Sequence, residues 1–239
     1  MVGESVVLEY KMKKGEELTY ESKVNSKQSV KEKDKDATSQ VSAITMVMVQ
    51  TAKAINPDGS IDVDVLIKEG KSKVGNEEAE IPNVGQLISM RMLKTGQITQ
   101  SSVDIPFSQP PFPEKSMKKG DSWTGESKIN IPTKPEPVSL FYNYSINDFK
   151  KVDGYECVEI KVSCPETKIT LDTGVEQTIS ATGATYFAYK EGRLVKSEVE
   201  TKTHISAEEI KVDNLIKVVV ELKGEKGGLS SPDEGFIVR

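Results

Sequence analysis

Apolar and polar residues alternate with a period of two along most of this chain. Ile61, Val63, Val65 and Ile67 share one side of a run whose other side carries Asp62, Asp64 and Lys68. Val195, Val199 and Ile205 alternate with Lys196, Glu198, Glu200, Lys202 and His204. Ile216, Val218, Val220 and Leu222 do so with Lys217, Glu221 and Lys223. Successive side chains of an extended strand point to opposite faces, so these runs predict antiparallel strands with one face on a core and one in water. Between the runs stand Asn56-Pro57-Asp58-Gly59, Lys94-Thr95-Gly96, Val152-Asp153-Gly154 and Glu191-Gly192. Each supplies a residue that tolerates positive φ, as tight hairpins require. Helical periodicity is nearly absent. The best helix candidate, residues 207–215, reads equally well as a strand edge.

The pattern also repeats. Residues 12–24 read MKKGEELTYESKV and residues 117–129 read MKKGDSWTGESKI, with eight of thirteen positions identical. Asp58-Gly59 answers Asp153-Gly154, and Gly96 in LKTGQI answers Gly192 in YKEGRL. Three matches in one order predict a duplicated β unit. Repeat 1 spans residues 5–105 and repeat 2 residues 117–223. They are joined by a linker at 106–116, where Pro106, Pro110, Pro111 and Pro113 exclude a central strand. The first copy has a polar, charge-rich insertion at 25–40, expected to be the tip of a long hairpin. Residues 224–239, rich in Gly, Ser and acids, are expected to form a flexible tail. The fold class that follows is all-β: an internally duplicated antiparallel sheet forming a half-open barrel or a sandwich.

With 239 residues the chain can bury a sizeable core. It carries 32 basic and 37 acidic residues, for a net charge of −5, and 6% aromatics. A nucleic-acid surface calls for a basic excess with interleaved aromatics, so no nucleic-acid partner is expected. No apolar run reaches the roughly 18 residues of a spanning helix. Residues 1–4 show neither a basic nor an apolar leader region, which leaves both a cytoplasmic address and an earlier removal of a leader open. Cys157 and Cys164 sit on one alternating run and are separated by roughly 23 Å of strand, too far for a disulfide. Their opposite parity predicts one small core residue and one surface thiol.

The segment Phe112-Pro113-Glu114-Lys115-Ser116-Met117-Lys118-Lys119-Gly120-Asp121-Ser122-Trp123 resembles the central signature of a bacterial β-rich extracytoplasmic domain of unknown function, often found in lipoproteins. In that family a proline-rich approach precedes a basic residue and Gly-Asp-x-Trp. Tyr10-Lys11-Met12-Lys13-Lys14-Gly15, Val152-Asp153-Gly154-Tyr155-Glu156-Cys157 and Lys190-Glu191-Gly192-Arg193-Leu194-Val195 fit the same pattern, so the resemblance covers about residues 8–222. It implies export to the periplasm or cell surface. A looser likeness is to lipoprotein carriers, whose curved sheet holds an acyl chain in its concave face.

Few residues offer chemistry. The chain has one histidine, His204, on the same face as Glu200 and Lys202, and no GxSxG or nucleophilic-cysteine motif accompanies it. Asp58, Asp62 and Asp64 lack the spacing of a calcium loop and read as a wet strand face. No phosphate loop is present, so no cofactor is expected, and no metal either. Trp123 reads as a core anchor, because its counterpart in the first copy is Leu18, or alternatively as a ligand contact.

Three runs are apolar on both sides: residues 44–49 and 88–93, which hold Met46, Met48, Met90 and Met92, and residues 140–146, which hold Phe141, Tyr142 and Tyr144. Methionine suits irregular or exchangeable apolar surfaces. Either these strands lie mid-sheet, covered on both sides, or one face lines an apolar groove with Phe107, Phe112 and Trp123 near its mouth. The chain is therefore expected to be no enzyme but a non-catalytic extracytoplasmic binding or scaffold domain for a protein or envelope component. The alternative is a carrier of a lipid or other apolar small molecule in the concave face.

Overall fold

A computed structural model describes residues 5–103, 111–129, 136–171 and 174–227. The alternating runs form β1 (Ser5–Val7), β2 (Glu17–Glu32), β3 (Thr38–Ile55), β4 (Ile61–Val74), β5 (Glu77–Glu80), β6 (Leu87–Met92) and β7 (Ile98–Ser101). They continue as β8 (Ser116–Lys118), β9 (Ser122–Ile129), β10 (Val138–Val152), β11 (Tyr155–Thr170), β12 (Glu176–Ala188), β13 (Arg193–Ser206) and β14 (Ile210–Lys226). Among the described residues, β1 pairs with β8, and the others form one twelve-stranded sheet in the order β7-β6-β4-β3-β2-β14-β13-β12-β11-β10-β9, with β5 added beside β4. Among the described residues every strand pairing is antiparallel.

The turn chemistry read from the sequence sets the hairpins. Asp153 and Gly154 take φ of 49° and 92° between β10 and β11, the two successive left-handed residues of a tight two-residue turn. The segments at 12–24 and 117–129 fold alike where they enter their strands. Glu16 accepts the Lys13 backbone N–H at 2.7 Å and Asp121 accepts that of Lys118 at 2.9 Å.

Three expectations meet a different outcome. Residues 25–32 and 38–40 are ladder rather than tip: β2 pairs with β14 along its whole length and with β3 as far as Val30↔Thr38. Backbone hydrogen bonds need no apolar side chains, so a polar run can extend a sheet. Gly224–Lys226 likewise pair with Glu17–Thr19, beyond a bulge after Leu222. Residues 228–239 lie outside the described residues. The third concerns the cysteines, which are both free and both buried. Cys164 faces the core. Cys157 points the other way but is covered by Ala188, Val195, Val152 and Tyr155, a small cluster formed where β13 bulges at Val195.

The sheet curls without closing into a barrel. Register breaks in β4 beside Met48, in β10 after Ile146, in β11 after Cys164 and in β13 opposite Tyr186 supply local bends. Strands far apart in the sheet meet in one core: Ile61, Val63 and Val65 of β4 with Ile146 of β10, Val158 and Ile160 of β11, and Phe187 of β12. The face carrying these residues is therefore the concave one.

A strap closes one end of this concavity. The backbone N–H of Tyr10 donates to the Lys94 carbonyl at 2.8 Å, that of Lys11 to Gly192 at 2.8 Å, and that of Phe112 to Thr95 at 2.7 Å. Lys94-Thr95 and Gly192 belong to hairpin turns on opposite arms of the sheet, so the strap ties the arms together. Gly192, at φ 70°, has no room for a side chain, because a Cβ there would lie 2.6 Å from the Glu9 carbonyl oxygen. Tyr10 stacks on Phe112 with centroids 5.0 Å apart, and Phe187 meets Phe112 at 4.6 Å.

Candidate functional site

The register of the long strands sorts their side chains by charge. From the level of Tyr20 up to that of Gln28, the concave face of β4, β3, β2, β14, β13, β12, β11 and β10 carries no Lys, Arg, Asp or Glu among the described residues. The opposite, convex face carries Glu21, Lys23, Lys196, Glu198, Glu200, Lys217 and Glu221, paired across strands as in Lys196–Glu221 at 3.3 Å and along one strand as in Lys23–Glu21 at 2.8 Å. Charged residues sharing the concave parity lie at the strand ends: Glu32 and Glu77 at the open end, Lys151, Glu156 and Glu225 at the closed end.

Cross-strand partners line up as rows across the concave face. The lowest level, Met48-Tyr20-Leu222 on one side and Leu194-Phe187-Val158 on the other, joined where Leu194 and Leu222 pack into one cluster with Tyr20, belongs to the closed core. Two levels above it runs Ile44-Val24-Val218-Val199-Gly183-Val162. In this stretch of the central strands Val24, Ile44, Met46, Val199, Val218 and Val220 are only half-buried. Higher still the face turns polar, with Ser42 opposite Ser26, Gln40 opposite Gln28, and Gln28 opposite Asn214. Ser26 donates to the Asn214 Oδ1 at 2.9 Å. On the β10–β12 arm the wall stays apolar, with Leu140, Cys164, Ala181 and Ile179 buried together.

The residues singled out in the sequence have distinct places. Met46 and Met48 lie half-buried on the concave side of β3, and Met90 packs at the edge of the core on β6. Met92, Phe112 and Tyr144 are sealed inside it. Trp123, on the concave side of edge strand β9, stacks on Tyr144 at 5.4 Å, and its indole N–H donates to the Pro111 carbonyl at 2.6 Å. Tyr142 stands one step above Tyr144 on the same face. Burial, with Tyr142 and Cys164 nearby, pushes the Tyr144 hydroxyl up to about 12, so this wall too stays uncharged. Phe141 projects from the convex face, 55% exposed, because its parity is opposite to that of its neighbours. Phe107 lies outside the described residues.

Sequence reasoning left out the middle of the concave face. Val199, Val218 and Val220 were visible as one side of alternating strands, but alternation does not tell a core face from an open one. The polar chemistry is distributed elsewhere. His204 Nδ1 lies 2.7 Å from Asp213 Oδ1 on an exposed strand surface. Asp62 holds Arg91 through contacts of 2.6 and 3.0 Å, and Asp64 accepts from Ser89. No cluster of three metal-ligating side chains occurs among the described residues. One depression, of about 460 Å³, is lined by Asn143, Ser145, Lys161, Ser163, Thr182 and Ala184, and so opens on the convex face. A second, of about 180 Å³, lies in the polar band of the concave face.

Burial pushes the Cys157 thiol up to about 11 and raises that of Cys164. A thiolate is the reactive form, so a thiol reagent at mildly alkaline pH is expected to modify neither residue in the folded protein and both in denaturant. Rapid labelling of the native protein would contradict the packing described for β11.

No family model matches the chain, and no curated protein matches it in sequence. Among solved structures, lipovitellin, in a structure titled for its lipid–protein interactions, superimposes with a TM-score of 0.52 at 10% identity over 95% of this chain. The chain spans 27% of the length of that lipovitellin chain. The likeness is one of fold: a large curved antiparallel sheet. A LolA superfamily protein from Nitrosomonas europaea matches 90% of this chain and 88% of its own at 10% identity, but with a TM-score of 0.19 it adds nothing on the fold.

Proposed function

We propose that this protein is a non-catalytic carrier that holds an apolar small molecule, such as a lipid acyl chain, against the concave face of its sheet. One observation carries the reading: the long strands direct their charges to the convex face and leave half-buried aliphatic side chains on an uncharged concave one. Leaving these groups in water forgoes roughly 25 cal/mol per Å² of apolar surface that a ligand would cover. A closed lower end and an open upper one give such a ligand a floor and an entrance. The fold shared with part of lipovitellin supports the same reading. It is the narrower form of a binding domain, and extracytoplasmic residence, implied by the resemblance of the Gly120-Asp121-Ser122-Trp123 region, belongs to the proposal. Cell fractionation tests that part.

The direct test is mass spectrometry of the purified protein, first native and then after solvent extraction. A stoichiometric apolar molecule is the expected result. An apo mass from several expression hosts, unchanged after incubation with lipid vesicles, would overturn the reading. Val218→Glu places a carboxylate in the middle of the strip without touching the closed core. It is expected to abolish the bound species while leaving the circular-dichroism spectrum unchanged.

A further inference from the structure

We infer that the ligand is an amphiphile with an uncharged, hydrogen-bonding head group, such as an acylglycerol or a glycolipid, and that the polar band above the aliphatic strip receives that head. This rests on the carrier reading and adds the class and orientation of the ligand.

The concave face is graded along the strands. The aliphatic level of Val24, Ile44 and Val218 gives way two residues on to Ser26 and Ser42, beside Ile216, and four residues on to Gln28, Gln40 and Asn214. Four of these, with Val74, line the depression of about 180 Å³. That is roughly six water volumes, space for a head of glycerol or hexose size. Hydroxyls and carboxamides both donate and accept, which matches hydroxyl or amide heads. Nothing there matches an anion. The concave face has no Lys or Arg at this level, and the charged side chains that share its parity at the open end are Glu32 and Glu77. The lysines of β2 and β14 in this region, Lys27, Lys31, Lys211 and Lys217, have the opposite parity and point away. An anionic head would be desolvated against neutral dipoles with no counter-charge. The tail of a bound molecule then points to the floor made by Leu18, Tyr20 and Leu194, and its head to the open end.

The test compares probes with the same tail and different heads. Binding of monooleoylglycerol and of oleate is measured by titration calorimetry at a pH where oleate is ionised. Monooleoylglycerol is expected to bind about tenfold or more tighter, a modest number of net hydrogen bonds. Gln28→Leu combined with Asn214→Leu is expected to remove that advantage while leaving oleate within about twofold of its original affinity. Asn214→Lys is expected to shift the preference towards oleate. Equal binding of both probes, unaffected by these substitutions but lost in Val218→Glu, would overturn the head-group assignment and leave the carrier reading intact. Binding of neither probe would overturn both. A concentration-dependent dimer that Val218→Glu breaks and neither probe dissociates would assign the face to a second copy of the chain and refute the proposal.

Discussion

Arg193→Met is expected to lower the free energy of unfolding by about 3–5 kcal/mol, the cost of leaving a buried charge without its partner. The Arg193 and Glu16 side chains are each 9% exposed and meet at 2.9 Å, while a second guanidinium nitrogen lies 2.8 Å from Glu225. The three residues come from the turn before β2, the first residue of β13 and the end of β14. Their cluster fixes the closed end where three distant parts of the chain converge. With Met in place of Arg, Glu16 stays in its pocket, still accepting the Lys13 N–H, but its charge has lost the guanidinium. Glu225 is 33% exposed and turns partly to water, so most of the loss belongs to Glu16. The double variant Glu16→Gln, Arg193→Met should therefore recover much of the stability. Urea midpoints with an unchanged slope would measure both. A single-variant loss below about 1 kcal/mol would place the pair in the class of surface ion pairs.

Phe187→Ala should cost a similar amount, about 3–5 kcal/mol, by a different mechanism. Phe187 is fully buried and its ring touches Tyr10 of the strap at 5.0 Å and Phe112 at 4.6 Å. Truncation leaves a cavity bounded by segments that differ widely in sequence position, so collapse around it would need the strap to move. Because Phe112 also packs edge-on against Trp123 at 6.3 Å, a shift of Trp123 emission to longer wavelength should accompany the loss. A stability loss with unchanged emission would mean that the strap stays seated without this ring.

Much of the fold was legible because its determinants are local. The turns at 56–59, 94–96, 153–154 and 191–192 depend on residues within each turn, and the alternation of β4, β13 and β14 depends on neighbours two positions apart. The concavity was not legible. Whether Val218 is covered depends on how far a sheet of twelve strands curls, and that is set by bulges at places such as Val195, where the local sequence carries no mark. The same bulge buries Cys157, which parity alone placed in water. Arg193 joins Glu16 and Glu225 across the fold, and three charged residues among so many do not announce their pairing. The candidate site was half visible. Methionine-rich runs pointed to Met46, Met48 and Met90, and aromatic density to Tyr142, but Phe141 was drawn in by composition although its parity sends it outward. The polar band went unseen because Gln28, Gln40 and Asn214 are unremarkable until the register sets them side by side.

The pairing of β2 with β14 has a consequence for synthesis. Their ladder runs from Ile210↔Glu32 to Lys226↔Glu17, so β2 completes its sheet only when the last strand has been made. At roughly 5–20 residues per second, the 178 residues from Lys33 to Ile210 take about 9–36 s to translate. Through that interval the hairpin of β2 and β3 offers a long unpaired edge, an invitation to pair with another nascent chain. Lys23, Lys27 and Lys31, spaced four residues apart along that edge, place a repeating positive charge where a like strand would have to dock. On this view the lysines of β2 guard the molecule most while it is unfinished.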